Sequence, residues 1–317
     1  MVRTTGKNTV GQKKVRLIKR PGFRLFLMTM PLLAMVFVFS YLPLEGWRYA
    51  FYSYKPGKAL SDCEFVGFKY FTALLNNPVR RMDVLRVMKN TLGISGIGLL
   101  LSWLPMVFAV FLTQIPFRQY KRAVQTLTTL PHFISWVLVY SLAFSMFSIT
   151  DGFVNRVLLN MHLVEEPINF LAAPNHVWIT QWAYGTYKGL GWSAVVYMAS
   201  IAGIDQQMYE AARIDGAGRW HIIRHIEIPS LMPTYFVLLV MGIGNIMNNG
   251  MEQYYLFSNA MNKASIEVLD LYVYNQGIAG TQISFATAVG MLKSLVGVLL
   301  LTFANGLSKL VRGESIF

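Results

Sequence analysis

The chain has 317 residues, 54% of them hydrophobic and 14% charged, with a mean hydropathy of +0.43. That balance, with several apolar runs of bilayer-spanning length, excludes an ordinary soluble domain and places the chain among polytopic membrane proteins. The net charge of +13 would suit a nucleic-acid partner, but its largest block precedes the first apolar run, so membrane topology explains it and no nucleic acid is invoked.

Residues 1–24 form a basic segment carrying Arg3, Lys7, Lys13, Lys14, Arg16, Lys19, Arg20 and Arg24 and no acid, which keeps it on the cytoplasmic side against anionic headgroups. The remainder, 25–317, reads as one all-α transmembrane domain with six membrane-spanning helices. The uncharged run 25–44 is the first span; no small-residue cleavage site follows it, so it is not a signal peptide. Residues 45–89 are polar and aromatic, and Trp47, Tyr49, Tyr52 and Tyr70 suit the outer headgroup zone. Cys63 is the only cysteine, which excludes an intramolecular disulfide and a cysteine-based metal cluster.

The second span is 90–117, closed by Arg118, Lys121 and Arg122. The third falls within 123–150, with Pro131-His132 near its inner part, and an outer loop containing Glu165 and Glu166 follows. The fourth, 184–204, delivers the chain to a polar loop, 205–229. The fifth, 230–251, is interrupted by Pro233 and several glycines, and the sixth, 283–307, ends before Lys309 and Arg312. Six spans place both termini in the cytoplasm, and the short outer loops carry only Arg156 and Lys263, as the positive-inside rule requires.

The loop 205–229 has its own grammar. Asp205 suits the cap of a helix over 206–214, and Asp215-Gly216-Ala217-Gly218 supplies residues that tolerate positive φ. A second helix over 219–226 sets Trp220, Ile223 and Ile226 on one face until Pro229 stops it. The spacing resembles the EAA signature, EAA-x3-G-x9-I-x-LP: Glu210, Ala211, Ala212, Gly216, Ile226 and Pro229 fall in place, with Ile228 where Leu is usual.

On these residues the chain resembles the permease subunits of ATP-binding cassette (ABC) importers. Pro43-Leu44-Glu45-Gly46, Asn90-Thr91, the segment 130–136, Gly191-Trp192 and the run 244–259 extend the likeness to the branch associated with complex oligosaccharides and polysaccharide fragments, with Met251 where that branch usually has Phe. The resemblance implies a type I importer permease fold in a bacterial plasma membrane and no catalytic role for the chain. The loop would be the coupling helix that docks on a cytoplasmic ATPase. The implied partners are a second permease subunit, a homologue completing a heterodimer, two ABC ATPase subunits, an extracytoplasmic solute-binding protein and an oligosaccharide. ATP and Mg would bind the ATPase. In keeping with this, the Gly-Lys pairs Gly6-Lys7 and Gly57-Lys58 are followed by Asn8 and Ala59, so no phosphate-cradling GxxxxGK[ST] loop exists here.

Candidate pathway residues lie within the spans. Lys188 and Lys293 are costly in a bilayer unless they face water or a partner, with snorkelling the other reading for Lys188. Asn245, Asn248 and Asn249 would give the fifth span an amide-rich face, for sugar hydroxyls or for helix packing alone. Trp192 completes the set. His221 and His225 have the spacing of a zinc pair, but Ile222 stands where an HExxH hydrolase has its Glu, so they are read as surface residues and no metal is assigned. A secondary transporter driven by an ion gradient would need internal repeats or acids within the spans; the spans have no Asp or Glu between their ends.

Overall fold

The computed structural model describes residues 21–312, so the expected cytoplasmic placement of 1–20 and 313–317 lies outside the described residues. The chain divides into two units, 1–49 and 50–317. In the first, α1 (Pro21–Val36) runs on through a wide π turn, Phe37–Tyr41. Its apolar side chains from Leu25 to Phe39 are exposed, as a lipid-facing helix requires.

The second unit holds the remaining helices. α2 (Lys69–Asn76) is followed by α3 (Pro78–Leu100) and α4 (Leu104–Thr113). The second span therefore starts at Pro78 rather than at residue 90. Asn77 caps it, its side chain accepting from the Val79 and Arg80 amides at 3.0 and 3.3 Å, and Pro78 sits where a missing N–H costs nothing. The charges that made 78–89 look like a loop are borne on the early turns, where Arg86 pairs with Glu267 at 3.0 Å.

α5 (Arg118–Thr129) and α6 (Trp136–Phe147) meet at 108°, so the expected third span is broken. Pro131 cannot continue an α-helical ladder, and Ser135 then caps α6 through the Leu138 amide at 3.4 Å. α7 (Phe153–Asn160) leads to α8 (Val177–Ala202), which packs against α3, α4 and α5. After α9 (Gln206–Ile214) and α10 (Arg219–Ile222) comes α11 (Ile228–Gly244), also packed on α8. The short helices α12 (Glu252–Phe257), α13 (Lys263–Ile266) and α14 (Leu269–Tyr274) precede α15 (Ile283–Arg312).

All regular structure among the described residues is helical; one isolated antiparallel bridge joins Tyr52 and Phe65. Four stretches are long and apolar enough to cross a membrane, Leu25–Phe51, Pro78–Thr113, Arg219–Gly244 and Ile283–Gly306, and the bent pair makes a fifth if it counts as one span. The expected fourth span lies in α8, which is not among them. With neighbours on several sides, α8 meets protein where a lone span would meet lipid, so it accommodates Gln181, Lys188 and several glycines. One apolar cluster joins α4, α8 and the turn before α11 through Val110, Ala194, Tyr197, Ile223 and Leu231, and it fixes the loop 205–229 to the bundle.

Candidate functional site

The loop expected to couple is a self-supporting turn between two helices. Asp205 accepts from the Gln207 amide at 3.0 Å and starts α9. At its other end the Gly216 and Ala217 amides reach back to the Arg213 and Ala212 carbonyls at 3.1 and 2.9 Å, while Gly216 adopts a φ of +78°. This is a Schellman closure, and only glycine takes that φ without strain. Glu210 and Ala211 are left on the exposed side.

Two details differ from the expectation. Trp220 is 63% exposed while Ile223 and Ile226 are buried, so Trp220 does not share their face. Pro229 does not stop the second helix: residues Ile223–Glu227 widen into a π turn, and the helical path runs on through Pro229 into α11, from Arg219 to Gly244. Burial, with the Glu227 carboxylate beside it, raises the Tyr209 hydroxyl above the ordinary tyrosine range.

The expected amide face of the fifth span does not exist as such, because α11 ends at Gly244 and the asparagines follow it. Gly244 packs so closely on α15 that a Cβ would lie 2.6 Å from the Leu301 side chain, and the chain leaves the helix there. Asn245 turns back to the Met241 carbonyl at 3.0 Å, and Asn248 donates to Asn245 at 3.2 Å. Asn249 donates to Ser95 at 2.8 Å, and its Oδ1 is buried with no hydrogen-bond partner.

The lysines are satisfied within the chain. Lys293 on α15 forms an ion pair with Asp270, whose other oxygen accepts from the Gly250 amide at 2.9 Å. Lys188 donates to the His132 and Ile134 carbonyls at 2.7 and 2.6 Å, inside the break between α5 and α6, and lies 5.6 Å over the Trp136 ring. Trp192, one turn further on, stacks on His132 with ring centres 4.6 Å apart. On the same face a Cβ at Gly191 would lie 2.2 Å from the Thr128 carbonyl oxygen. These α8 residues hold the break together.

Of the six pathway candidates, Asn249 alone lines the cleft of about 280 Å³ between α3, α8 and the segment after α11. Its walls include Ser95, Gln181, Trp182, Thr186 and Gln253, and no ionised side chain. Gln253 donates to the Gln181 carbonyl and side chain at 2.8 and 2.9 Å. Sequence reading missed Gln181, Trp182, Thr186 and Gln253. One signal was available: Gly185 and Gly189 are four apart, which opens a gap on one helix face, with Gln181 a turn before them on the same face. His225 turns its Nδ1 toward the His221 carbonyl at 3.1 Å, and no cluster of three metal-ligating side chains occurs among the described residues.

Residues 103–313 match the family of binding-protein-dependent transport system inner membrane components. Protein LplB of Bacillus subtilis (strain 168) is 36% identical across 92% of this chain and 91% of its own length. The polygalacturonan/rhamnogalacturonan transport system permease protein YteP of the same organism is also 36% identical, across 92% and 90%. A chain of a bacterial alginate ABC transporter, solved in complex with an alginate pentasaccharide-bound periplasmic protein, superposes with a TM-score of 0.81 at 31% identity and covers 94% of this chain and 98% of that one. The chain belongs to this family of inner-membrane transport components.

Proposed function

We propose that the chain is the membrane-spanning, non-catalytic subunit of an ATP-driven importer for an oligosaccharide or polysaccharide fragment. It crosses a bacterial plasma membrane six times with both termini in the cytoplasm, α8 and the bent α5–α6 pair each counting as one span. A homologous second permease completes the pathway. Two ABC ATPase subunits, which bind ATP and Mg, grip the loops 205–229, and an extracytoplasmic binding protein delivers the sugar. Closure of the ATPase pair moves the loops and alternates access across the membrane.

The observation that carries this reading is the loop itself: a rigid, capped helix and turn, exposed at Glu210 and Ala211 and anchored through Ile223 and Ile226 to the bundle. Support for the sugar comes from the names of the relatives and from the uncharged, amide-lined cleft, which offers an unpaired polar atom to a hydroxyl group.

Gly216→Val puts a β-branched residue at φ +78°, where an L side chain is strained by about 1–3 kcal/mol. Uptake in the reconstituted complex should fall at least about tenfold, with ATPase released or uncoupled, and Glu210→Ala should act in the same direction. Normal uptake and normal ATPase association in both variants would refute the coupling assignment. For the cleft, Asn249→Leu should reduce uptake per assembled complex by about tenfold through loss of a hydrogen-bonding partner in a dehydrated site. An unchanged rate per complex would remove Asn249 from the pathway.

A further inference from the structure

Glu227 is 3% exposed, yet it has no ion-pair partner within 4.0 Å among the described residues. A carboxylate in such a place loses its hydration, a cost of several kcal/mol that polar donors only partly return. Its side-chain donor is neutral. Gln114 Nε2 lies 2.9 and 3.1 Å from the two carboxylate oxygens, and the Tyr209 side chain stands beside it on the wall of one cavity.

The three residues come from three separate elements. Gln114 caps the end of α4, Tyr209 lies on α9 within the loop that meets the ATPase, and Glu227 ends the π turn at the head of α11. The carboxylate is thus the polar junction of the coupling helix with the ends of two spans. Apolar packing of Ile223 and Ile226 holds the same region together but tolerates sliding, because it is not directional. Hydrogen bonds to a charged group hold direction as well as distance.

A cavity of about 800 Å³ adjoins the junction, lined by Tyr209 and Glu227 together with Lys121, Arg213 and Arg219. α9 therefore has open space on one side, and a displaced coupling helix could move into that space without taking the spans with it. The placement of Tyr209 beside Glu227 opposes this.

We propose that Glu227 is the positioning residue through which displacement of the coupling helix is transmitted to the second and fifth spans, with Tyr209 as its input and Gln114 as its output. The proposal rests on the reading of 205–229 as the ATPase-coupling loop. It assigns Glu227 a role in the yield of transport per ATP, distinct from holding the subunit together.

The test uses the full complex of both permeases, the ATPases and the binding protein in proteoliposomes, with sugar uptake and ATP hydrolysis measured on the same vesicles. Glu227→Gln should lower sugar moved per ATP by about tenfold, the effect of weakening one hydrogen bond to a charged group, while the amount of assembled complex stays near normal. Tyr209→Phe should lower the ratio in the same direction. The exchange Glu227→Gln with Gln114→Glu keeps an amide–carboxylate pair and should restore much of it.

A drop in assembled complex with sugar per ATP unchanged would mean a structural role only and would overturn the proposal. If Glu227→Gln fails to assemble, Tyr209→Phe carries the same test. Gly216→Val serves as the control for the underlying reading. If it uncouples and neither Glu227→Gln nor Tyr209→Phe does, the loop couples but not through Glu227. If Gly216→Val also leaves the ratio normal, the coupling reading falls and this proposal falls with it.

Discussion

Lys293→Met is expected to destabilise the folded chain by about 3–5 kcal/mol, the cost of leaving one member of a buried ion pair alone. Both side chains are largely buried, at 14% and 20% exposure for Lys293 and Asp270. Asp270 also receives the Gly250 amide, so an unpaired charge there disturbs the turn that places Asn249 at the cleft. Thermal unfolding of the detergent-solubilised complex should show a lower midpoint and a smaller folded yield. Adding Asp270→Asn to the same chain removes the orphan charge while keeping an acceptor for Gly250, and most of the stability should return. A pathway role for Lys293 predicts the opposite pattern: normal stability in the single variant, impaired uptake, and no recovery in the double variant. Recovery of stability in the double variant therefore decides between the two, and its absence would reject the structural assignment.

The second large effect is expected at Lys188. Its ammonium binds two carbonyls within the break at residues 130–135, where helix geometry leaves acceptors without amide partners. Lys188→Met forfeits two charge-assisted hydrogen bonds at about 1.5–3 kcal/mol each and leaves both part-buried carbonyls without that donor. Gly191→Ala strikes the same contact sterically, since its new methyl group would meet the Thr128 carbonyl at 2.2 Å. Both variants should lower the yield of assembled complex several-fold and increase amide hydrogen exchange between residues 128 and 136. If Lys188→Met assembles normally with unchanged exchange there, the clamp is not what Lys188 provides.

The parts of this molecule that depend on neighbours in sequence were legible from sequence. The Asp205 cap, the Gly216 turn and the helices on either side are set within a few residues, so their signals are local. What failed was the assumption that an apolar run is one straight helix. Pro131 was visible but was read through, and α11 ends at Gly244, where close packing on Leu301 of another helix leaves no room for a side chain and no local pattern marks the end. The asparagines lost their shared face for that reason. Lys293 and Lys188 stand out in the sequence as charges within apolar runs. Asp270 and the carbonyls of residues 132 and 134 are tertiary partners, so the sequence marked the anomaly without its resolution. α8 was found by its apolar residues, although its centre is too polar to pass as a free-standing span.

On the six-span reading proposed above, the modest hydropathy of α8 has a consequence for biogenesis. A lysine at the centre of an isolated helix raises the cost of partitioning into lipid by about 2.5–3.5 kcal/mol, and α8 carries Lys188 and Gln181 on a glycine-rich backbone. The groups that satisfy Lys188 belong to residues 132 and 134, which leave the ribosome earlier. By the time α8 emerges, its hydrogen-bond acceptors already exist, and insertion becomes docking onto a partly assembled protein surface. The order of elements along the chain thus lets a segment with a weak lipid preference enter the membrane late, with its neighbours acting as its solvent.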